Sequence, residues 1–410
     1  MTHERQKHAV VIGGSVAGLF AALLLRRIGW VVNIFERSDV ELAGRGAGII
    51  THPELHEALA MAGLDLGRDF GVQIHRRRII NSAGQIVQEL AYPQIATSWN
   101  QLYEALRDAF PRNDYHLGKD FKEAKQVDER VSAIFADGDE VSGDILVAAD
   151  GFRSTVRRQY LPKVKPVYAG YVAWRGLVEE CALAPRTRVD IFEDLAFCLP
   201  LGEQILGYPV AGMQNDLRSG HRRYNFVWYR SADIDTELPR LLTDKNGCTH
   251  SFSIPPPLIN GKIVQELREV SKKTLAPQFQ DVVNMTEQPF LQPIYDLESP
   301  QLSFGHIALI GDAAFVARPH VGAGVTKAAQ DAIALADALA HEENVRAALR
   351  RFEATRITNG QQIIERARNL GAWIFSNLRT PRELALLEQY RNPKIVIEET
   401  ANLNFIHAQN

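Results

Sequence analysis

Apolar and polar positions alternate in two distinct textures along this chain. Residues 9–12 are a short run of Ala, Val and Ile, the mark of a strand buried on both faces. Gly13, Gly14, Ser15 and Gly18 follow, then an apolar helix to about residue 27 that Gly29 ends. Residues 31–35 are a second apolar run, closed by Glu36. Further on, the pattern predicts a helix over 53–62 and a hairpin in "HRRRIINSAGQIVQEL" turning at Ser82, Ala83 and Gly84. It predicts another helix over 102–110. An apolar strand over 145–149 then ends in Asp150-Gly151. From 168 to about 284 the texture changes to strand-like stretches, "GYVAWRGLV", "QILGYPVAG" and "RRYNFVWYR", with "IPPPL" as a loop. Leu309 and Ile310 return to the first texture. Helices are predicted over 325–340 and 345–378, the latter with Arg- and Glu-rich faces.

These elements predict an α/β fold: a Rossmann-like nucleotide-binding domain with an inserted antiparallel β-sheet lobe and C-terminal helices. The first domain is discontinuous, over 1–75, 93–167 and 288–340. The sheet lobe takes 76–92 and 168–287 and is where a substrate is expected. Residues 341–410 form a C-terminal helical segment.

Composition narrows the classes. With 410 residues, 46% of them hydrophobic, the chain can bury a large core. A net charge of −3 leaves no nucleic-acid footprint, and Arg76-Arg77-Arg78, the one basic run, reads as a solvated strand or turn. No apolar run reaches membrane-spanning length, and a strand starting by residue 8 leaves no room for a signal peptide. Three scattered cysteines suggest neither disulfides nor a metal set, so a reduced cytoplasm is expected. No metal is expected from the 12 histidines.

The strand, turn, helix and strand over 9–36 form a dinucleotide-binding unit. Gly13 permits the tight turn, Gly18 lets helix and strand approach, and the helix N-terminus holds a pyrophosphate. Glu36 would accept from ribose hydroxyls. Ser15 departs from the pattern, standing where a glycine is usual. A second cluster, "ALIGDAAFVARPHVGAGVTKAAQDA" over 308–332, ends a strand on Gly311-Asp312. Asp312 then sits at a sheet's ligand-binding edge, although a helix cap is its plain structural reading. Pro319 stiffens the next turn, Gly322 and Gly324 admit a flat ligand, and the helix from Val325 aims its N-terminus there. A nicotinamide dinucleotide needs only the first cradle, whereas FAD needs both.

The segments "GGSVAG…FER", "AADGFRSTVRR" and "LIGDAAFVARPHVGAGVTKAAQDA" resemble the single-component FAD-dependent aromatic hydroxylases, a flavoprotein monooxygenase family, over essentially the whole chain. Within them, "GAGIITHPEL", "YAGYVAWRG", "YPVAG" and "NFVWY" are most similar to the 2,6-dihydroxypyridine 3-hydroxylases. The resemblance implies that Gly13, Gly14, Ser15, Gly18 and Glu36 bind the ADP half of FAD, with Arg37 over the adenine. It implies Arg45 near the ribityl and pyrophosphate, Asp150-Gly151 in FAD and pyridine nucleotide binding, and Asp312 on the ribityl chain. Pro319, Gly322, Gly324 and Val325 would surround the flavin ring. Trp99 stands where many relatives carry Arg, and Thr326 where many carry Asn.

The implied reaction uses NADPH or NADH to reduce FAD. O2 then forms a C4a-hydroperoxide that hydroxylates an electron-rich aromatic or N-heteroaromatic ring. Water must be kept out and the ring held in place. His320 is the favoured acid or base, with His52 second, its plain role being to cap the helix from Pro53. Asn225 and Tyr208 are candidates for contacting substrate, and satisfied core positions are their plain readings. Trp174 and Trp228 read as core. The partners expected are a small aromatic ring and O2, with no nucleic acid, and with a homodimer left open. A flavin halogenase would need a Trp-x-Trp-x-Ile-Pro stretch, which is absent. Another flavin oxidoreductase or a non-catalytic FAD-binding protein are the alternatives.

Overall fold

The computed structural model describes residues 5–43, 47–67, 70–374 and 380–407. A six-stranded sheet runs in the order Ser303–Phe304, Ile307–Leu309, Ile145–Ala148, His8–Ile12, Val31–Phe35 and Tyr115–His116. Only its outermost pair, 303–304 with 307–309, is antiparallel. Its central strands are buried almost throughout because helices cover the sheet, as parallel strands require. Helix Val16–Arg27 packs against helix Gly324–His341. That packing joins the two glycine clusters on one side of the sheet. A Cβ on Gly311 would lie 2.9 Å from the Ala17 methyl, so small residues permit the close approach.

The second sheet has nine strands: Phe315–Val316, Phe290–Glu298, Val167–Glu179, Arg223–Ser231, Gln204–Val210, Leu195–Cys198, Val72–Ile80, Ile86–Ser98 and Gly48–Ile50. All neighbours are antiparallel except 195–198 with 72–80, which run parallel. One face carries Ile205, Tyr224, Phe226 and Trp228 and packs on helices Gly261–Thr274 and Pro277–Met285. The other carries Tyr171, Leu206, Tyr208, Val227 and Tyr229 and meets the loop around His320 and the C-terminal residues Val396, Ile397 and Ala401. Period-two alternation along "RYNFVWY" therefore separates two cores, and Trp174 and Trp228 belong to the first.

Several elements differ from the sequence pattern. The helix expected over 102–110 is Trp99–Ala109, started by Ser98, whose Oγ accepts from the Gln101 N–H at 3.1 Å. The long C-terminal helix, expected to 378, is Val345–Leu370 and gives way at Gly371. Helices 185–191, 237–242, 261–274 and 277–285, inside the sheet lobe, have no counterpart in the strand-like reading. The basic run lies on a strand, as expected, but only its first residue, Arg76, is exposed. Arg77 is wholly buried and Arg78 nearly so, because their strand is internal to the sheet and faces other elements on both sides. Among the described residues, no helix is long and apolar enough to cross a membrane.

Candidate functional site

The first glycine turn is fixed by crowding. Gly13 has φ +102°, and a Cβ there would sit 2.3 Å from the Ala149 carbonyl oxygen. A Cβ on Gly18 would lie 1.9 Å from the Gly13 oxygen, so a larger residue would push the helix off its strand. Ser15 occupies the N-cap of helix Val16–Arg27 in an extended conformation, yet its hydroxyl caps no backbone N–H. It lines the cleft instead, leaving the first-turn N–H groups to an external acceptor.

Glu36 already serves its own chain. Its Oε2 accepts from the Gly14 N–H and its Oε1 from the Ser38 N–H, each at 2.9 Å, while the carboxylate borders the cleft. Each oxygen keeps a second lone pair for a ligand hydroxyl. Arg37 is exposed at the same end, across from Lys119 and Asp120. Arg45 lies outside the described residues. Asp150 Oδ2 accepts from Thr155 N–H at 2.7 Å and Val156 N–H at 3.2 Å, capping helix Thr155–Tyr160. Its Oδ1 is buried without a partner, and burial pushes the carboxyl pKa up.

At the far end stands the turn Gly311–Ala313. Gly311 N–H donates to Asp331 Oδ2 at 2.9 Å, and the Gly311 oxygen accepts from Lys327 Nζ at 2.7 Å. Arg356 Nε holds Asp331 Oδ1 at 2.7 Å, and Arg157 Nη1 holds the Ala313 oxygen at 2.9 Å. Four buried charges thus fix one short turn. Asp312 caps no helix: helix Gly324–His341 starts at Ala323 without any side-chain cap. The carboxylate is exposed to the cleft, whose walls surround it. That enclosure raises its pKa, against the pull of Lys327 and Arg157. Gly322 has φ +62° and Gly324 has open space where a Cβ would stand.

These residues line a cleft of about 870 Å³ running from Arg37 and Lys119 past Gly13, Ser15 and Asp150 to Asp312 and Pro319. It continues, through Gln292, Asp312, Val316, Ala317 and Pro319, into a pocket of about 250 Å³. The pocket is walled by Leu195, Leu206, Tyr208, Val227, Tyr229 and Arg175 from the sheet. Residues 318–325 and 400–401 enclose its other sides. An elongated dinucleotide fits the cleft: glycine crowding shapes its start, uncapped N–H groups face it, and an unpaired carboxylate oxygen and Asp312 await donors.

The candidate side chains meet around the smaller pocket in unequal ways. His320 is buried, and its Nε2 shares a 2.8 Å hydrogen bond with Tyr171 Oη while Nδ1 has no partner. Burial, aided by Arg318, lowers its pKa to about 3. The titration near neutrality expected of it is therefore lost to desolvation. His52 stands at the N-cap of helix Pro53–Met61 but makes no capping bond. Its Nδ1 meets Thr326 Oγ1 at 3.1 Å, and burial lowers its pKa to about 4. Thr326, the departure noted above, thus has a protein partner. Trp99, the other departure, stacks on Tyr103 at 5.1 Å. Tyr208 lines the pocket, with its pKa pushed up to about 12 by burial. Asn225 stands behind the wall: its Oδ1 accepts from the Gly48 N–H at 3.2 Å, and Nδ2 has no partner. A Cβ on Gly48 would clash with Tyr208 and Asn225 at 2.7 and 2.9 Å, which explains that glycine.

Sequence reasoning missed Arg175, whose Nη1 donates to Gln292 Oε1 at 3.0 Å and whose Nε has no partner. An arginine inside the apolar run "YVAWRGLV" was the available signal. It also missed Lys327, a charge in an Ala-rich helix.

Residues 6–165 and 296–367 match the model of an FAD binding domain family, and 168–296 match an FAD binding domain-like model. The chain belongs to this FAD-binding family and, within it, to the FAD-dependent monooxygenases. It is 29% identical over 362 residues to a 2,6-dihydroxypyridine 3-monooxygenase of Paenarthrobacter nicotinovorans, covering 88% of this chain and 90% of that one. It is also 29% identical to an FAD-dependent urate hydroxylase of Klebsiella pneumoniae subsp. pneumoniae, over 88% of each. The solved structure of 2,6-dihydroxypyridine-3-hydroxylase from Arthrobacter nicotinovorans superimposes with a TM-score of 0.85 at 28% identity, covering 92% of this chain and 95% of that one.

Proposed function

We propose that this protein hydroxylates an electron-rich aromatic or N-heteroaromatic ring of the dihydroxypyridine kind, using FAD, NAD(P)H and O2. The observation that carries the reading is the continuity of the long cleft with a small walled pocket at Asp312 and Pro319. Three unpaired cysteines accord with a cytoplasmic setting.

Bound FAD supplies the redox chemistry, passing electrons from NAD(P)H to O2 and activating oxygen for transfer. Gly13, Gly14, Ser15, Gly18, Glu36, Arg37 and Asp150 hold its adenine dinucleotide half in this reading. Asp312 accepts from the ribityl chain. Pro319, Gly322, Gly324 and Val325 border the ring, with the uncapped helix N-terminus favouring negative charge there. The ring substrate lies against Leu206, Tyr208, Val227 and Tyr229. His320 and His52, neutral through burial, orient rather than titrate. Tyr208 keeps its proton and can donate it in a hydrogen bond. Arg175 is a cation available to a ring oxygen that has lost its proton, and such an oxygen makes the ring a better nucleophile. The apolar walls exclude water, which would otherwise divert activated oxygen to hydrogen peroxide.

The test is NAD(P)H oxidation by the purified, FAD-loaded protein with a panel of hydroxylated N-heterocycles and phenols under ¹⁸O₂. A ring product carrying one ¹⁸O is expected. No ring that both stimulates oxidation and gains oxygen would refute the proposal.

A further inference from the structure

Arg77 is a fully buried cation with no carboxylate in ion-pair range among the described residues. Burying a charge this way is costly unless its donors are satisfied. Here they are satisfied by the C-terminal segment. Nη1 donates to the Ile397 and Thr400 oxygens at 2.8 and 2.7 Å, and Nη2 to the Ala401 oxygen at 3.1 Å. These carbonyls lie at and just beyond the end of helix Pro393–Glu399, where backbone acceptors lack helical partners. Gln94 completes the arrangement. Its Oε1 accepts from Arg77 Nη2 at 2.7 Å and its Nε2 donates to the Ala401 oxygen at 3.1 Å. The Tyr92 ring lies 3.9 Å from the guanidinium carbon.

The held residues touch the pocket. Thr400 and Ala401 line it. Ala401 N–H donates to the His320 oxygen at 2.8 Å, and Ala401 sits at φ +49°, a conformation that needs external support in a non-glycine residue. A Cβ on Gly322 would lie 3.2 Å from the Ala401 methyl. Val396, Ile397, Leu403 and Ile406 are buried against the same sheet face as Tyr208 and Tyr229. We infer that the C-terminal segment 393–407 backs the substrate pocket, with Thr400 and Ala401 as its rear wall, and that Arg77 is the positioning residue latching that wall onto the sheet. An apolar side chain would suffice to fill the space. The guanidinium instead fixes where the turn at 400–401 stands, and through it the loop carrying His320.

The catalytic consequence rests on the hydroxylation proposed above: a loosened wall admits water, and oxygen is lost as peroxide. Arg77→Met keeps length and apolar bulk but removes every donor. Arg77→Lys keeps charge without the planar fork that reaches several carbonyls. In FAD-loaded Arg77→Met, amide hydrogen exchange in 393–407 should speed at least about tenfold, from the loss of several charge-assisted bonds. Peroxide per NAD(P)H consumed should rise several-fold, while FAD content and the rate of flavin reduction stay near wild type. Arg77→Lys should fall between the two. Gln94→Leu, a milder change, should shift exchange and peroxide in the same direction by less, and serves if Arg77→Met does not fold. Unchanged exchange in 393–407 would overturn the latch. Faster exchange with wild-type coupling would overturn the wall. A general loss of stability and FAD content with unaltered coupling would make Arg77 merely structural. If wild type itself hydroxylates no ring, the proposed function fails, while the exchange measurement still decides the latch.

Discussion

Replacing Asp312 with Ala should act with opposite signs on the empty and the FAD-loaded protein. The carboxylate opens into the cleft, caps no helix, and is surrounded closely enough that its pKa is raised. A raised carboxyl pKa means that the folded state disfavours the charge. That penalty is absent below the unfolded pKa and fully present at neutral pH. Removing the carboxylate relieves it, so the FAD-free variant should melt no lower than wild type at pH 7. Bound FAD reverses the balance, because a ribityl hydroxyl loses a charged acceptor. A hydrogen bond to a charged group contributes about 1.5–3 kcal/mol, so the Kd for FAD should rise roughly 10- to 150-fold. The assay is flavin fluorescence titration of the FAD-free protein, paired with melting curves of both forms. An FAD Kd within about twofold of wild type would refute the ribityl role; so tight a limit is well below the smallest expected effect. A fall of several degrees in the FAD-free form would instead show that the charge supports the turn.

Lys327→Met should strip the Gly311 oxygen of its side-chain donor and leave Arg356 as the one cation on Asp331 among the described residues, costing about 3 kcal/mol as one member of a buried charged set is removed; denaturant unfolding checks this. His320 and His52 are neutral when folded, with pKa near 3 and 4, but take protons near pH 6.5 when unfolded. Stability should therefore fall as pH drops from about 6.5 toward 4. His320→Gln should flatten that slope by about 1.4 kcal/mol per pH unit relative to wild type. The same variant should leave the pH profile of hydroxylation between 6 and 9 unaltered, and a lost inflection there would restore a titrating role. Arg175→Leu should raise KM for rings that carry a negative charge by about tenfold or more, and for neutral rings much less. Equal effects on both would return Arg175 to packing with Gln292.

The dinucleotide turn was legible because its requirements are local. Gly13 and Gly18 are demanded by backbone approach within a single strand–turn–helix unit, and only glycine meets that demand. The position of Asp312, just past a strand's end, was legible for the same reason. The alternative of a helix cap fails in the structure, because the next long helix begins 12 residues later at Gly324, after an intervening turn. Three strands of the sheet lobe, Val167–Glu179, Gln204–Val210 and Arg223–Ser231, were readable from their largely apolar and aromatic runs, whereas Leu195–Cys198 was not picked out. The lobe's helices were hidden: 261–274 carries a narrow apolar stripe among Lys, Glu and Gln.

What sequence could not supply is the environment of each polar side chain. Histidine suggests proton transfer because its free pKa lies near neutrality, yet that property survives only where water or charge supports the cation. His320 packs between Tyr171 and Tyr229, with the nearby Arg318 cation disfavouring a second positive charge. Arg77 fails the reading in the opposite sense. A triple arginine suggests a solvated surface, but Arg77 lies in an internal strand and faces a segment more than 300 residues further along the chain. Both cases have one cause. The sheet face that forms the pocket is assembled from strands far apart in sequence and is covered by the C-terminus. Whether a polar residue on that face is wet, paired or neutral is therefore decided by residues that no local pattern contains. The charged groups retained there, Arg77 and Arg175, differ in what satisfies them. Arg77 has its carbonyls, while Arg175 has Gln292 and an unpartnered Nε. A buried donor left without a partner beside an apolar pocket is costly in the empty protein, and a ligand oxygen is what would offset that cost.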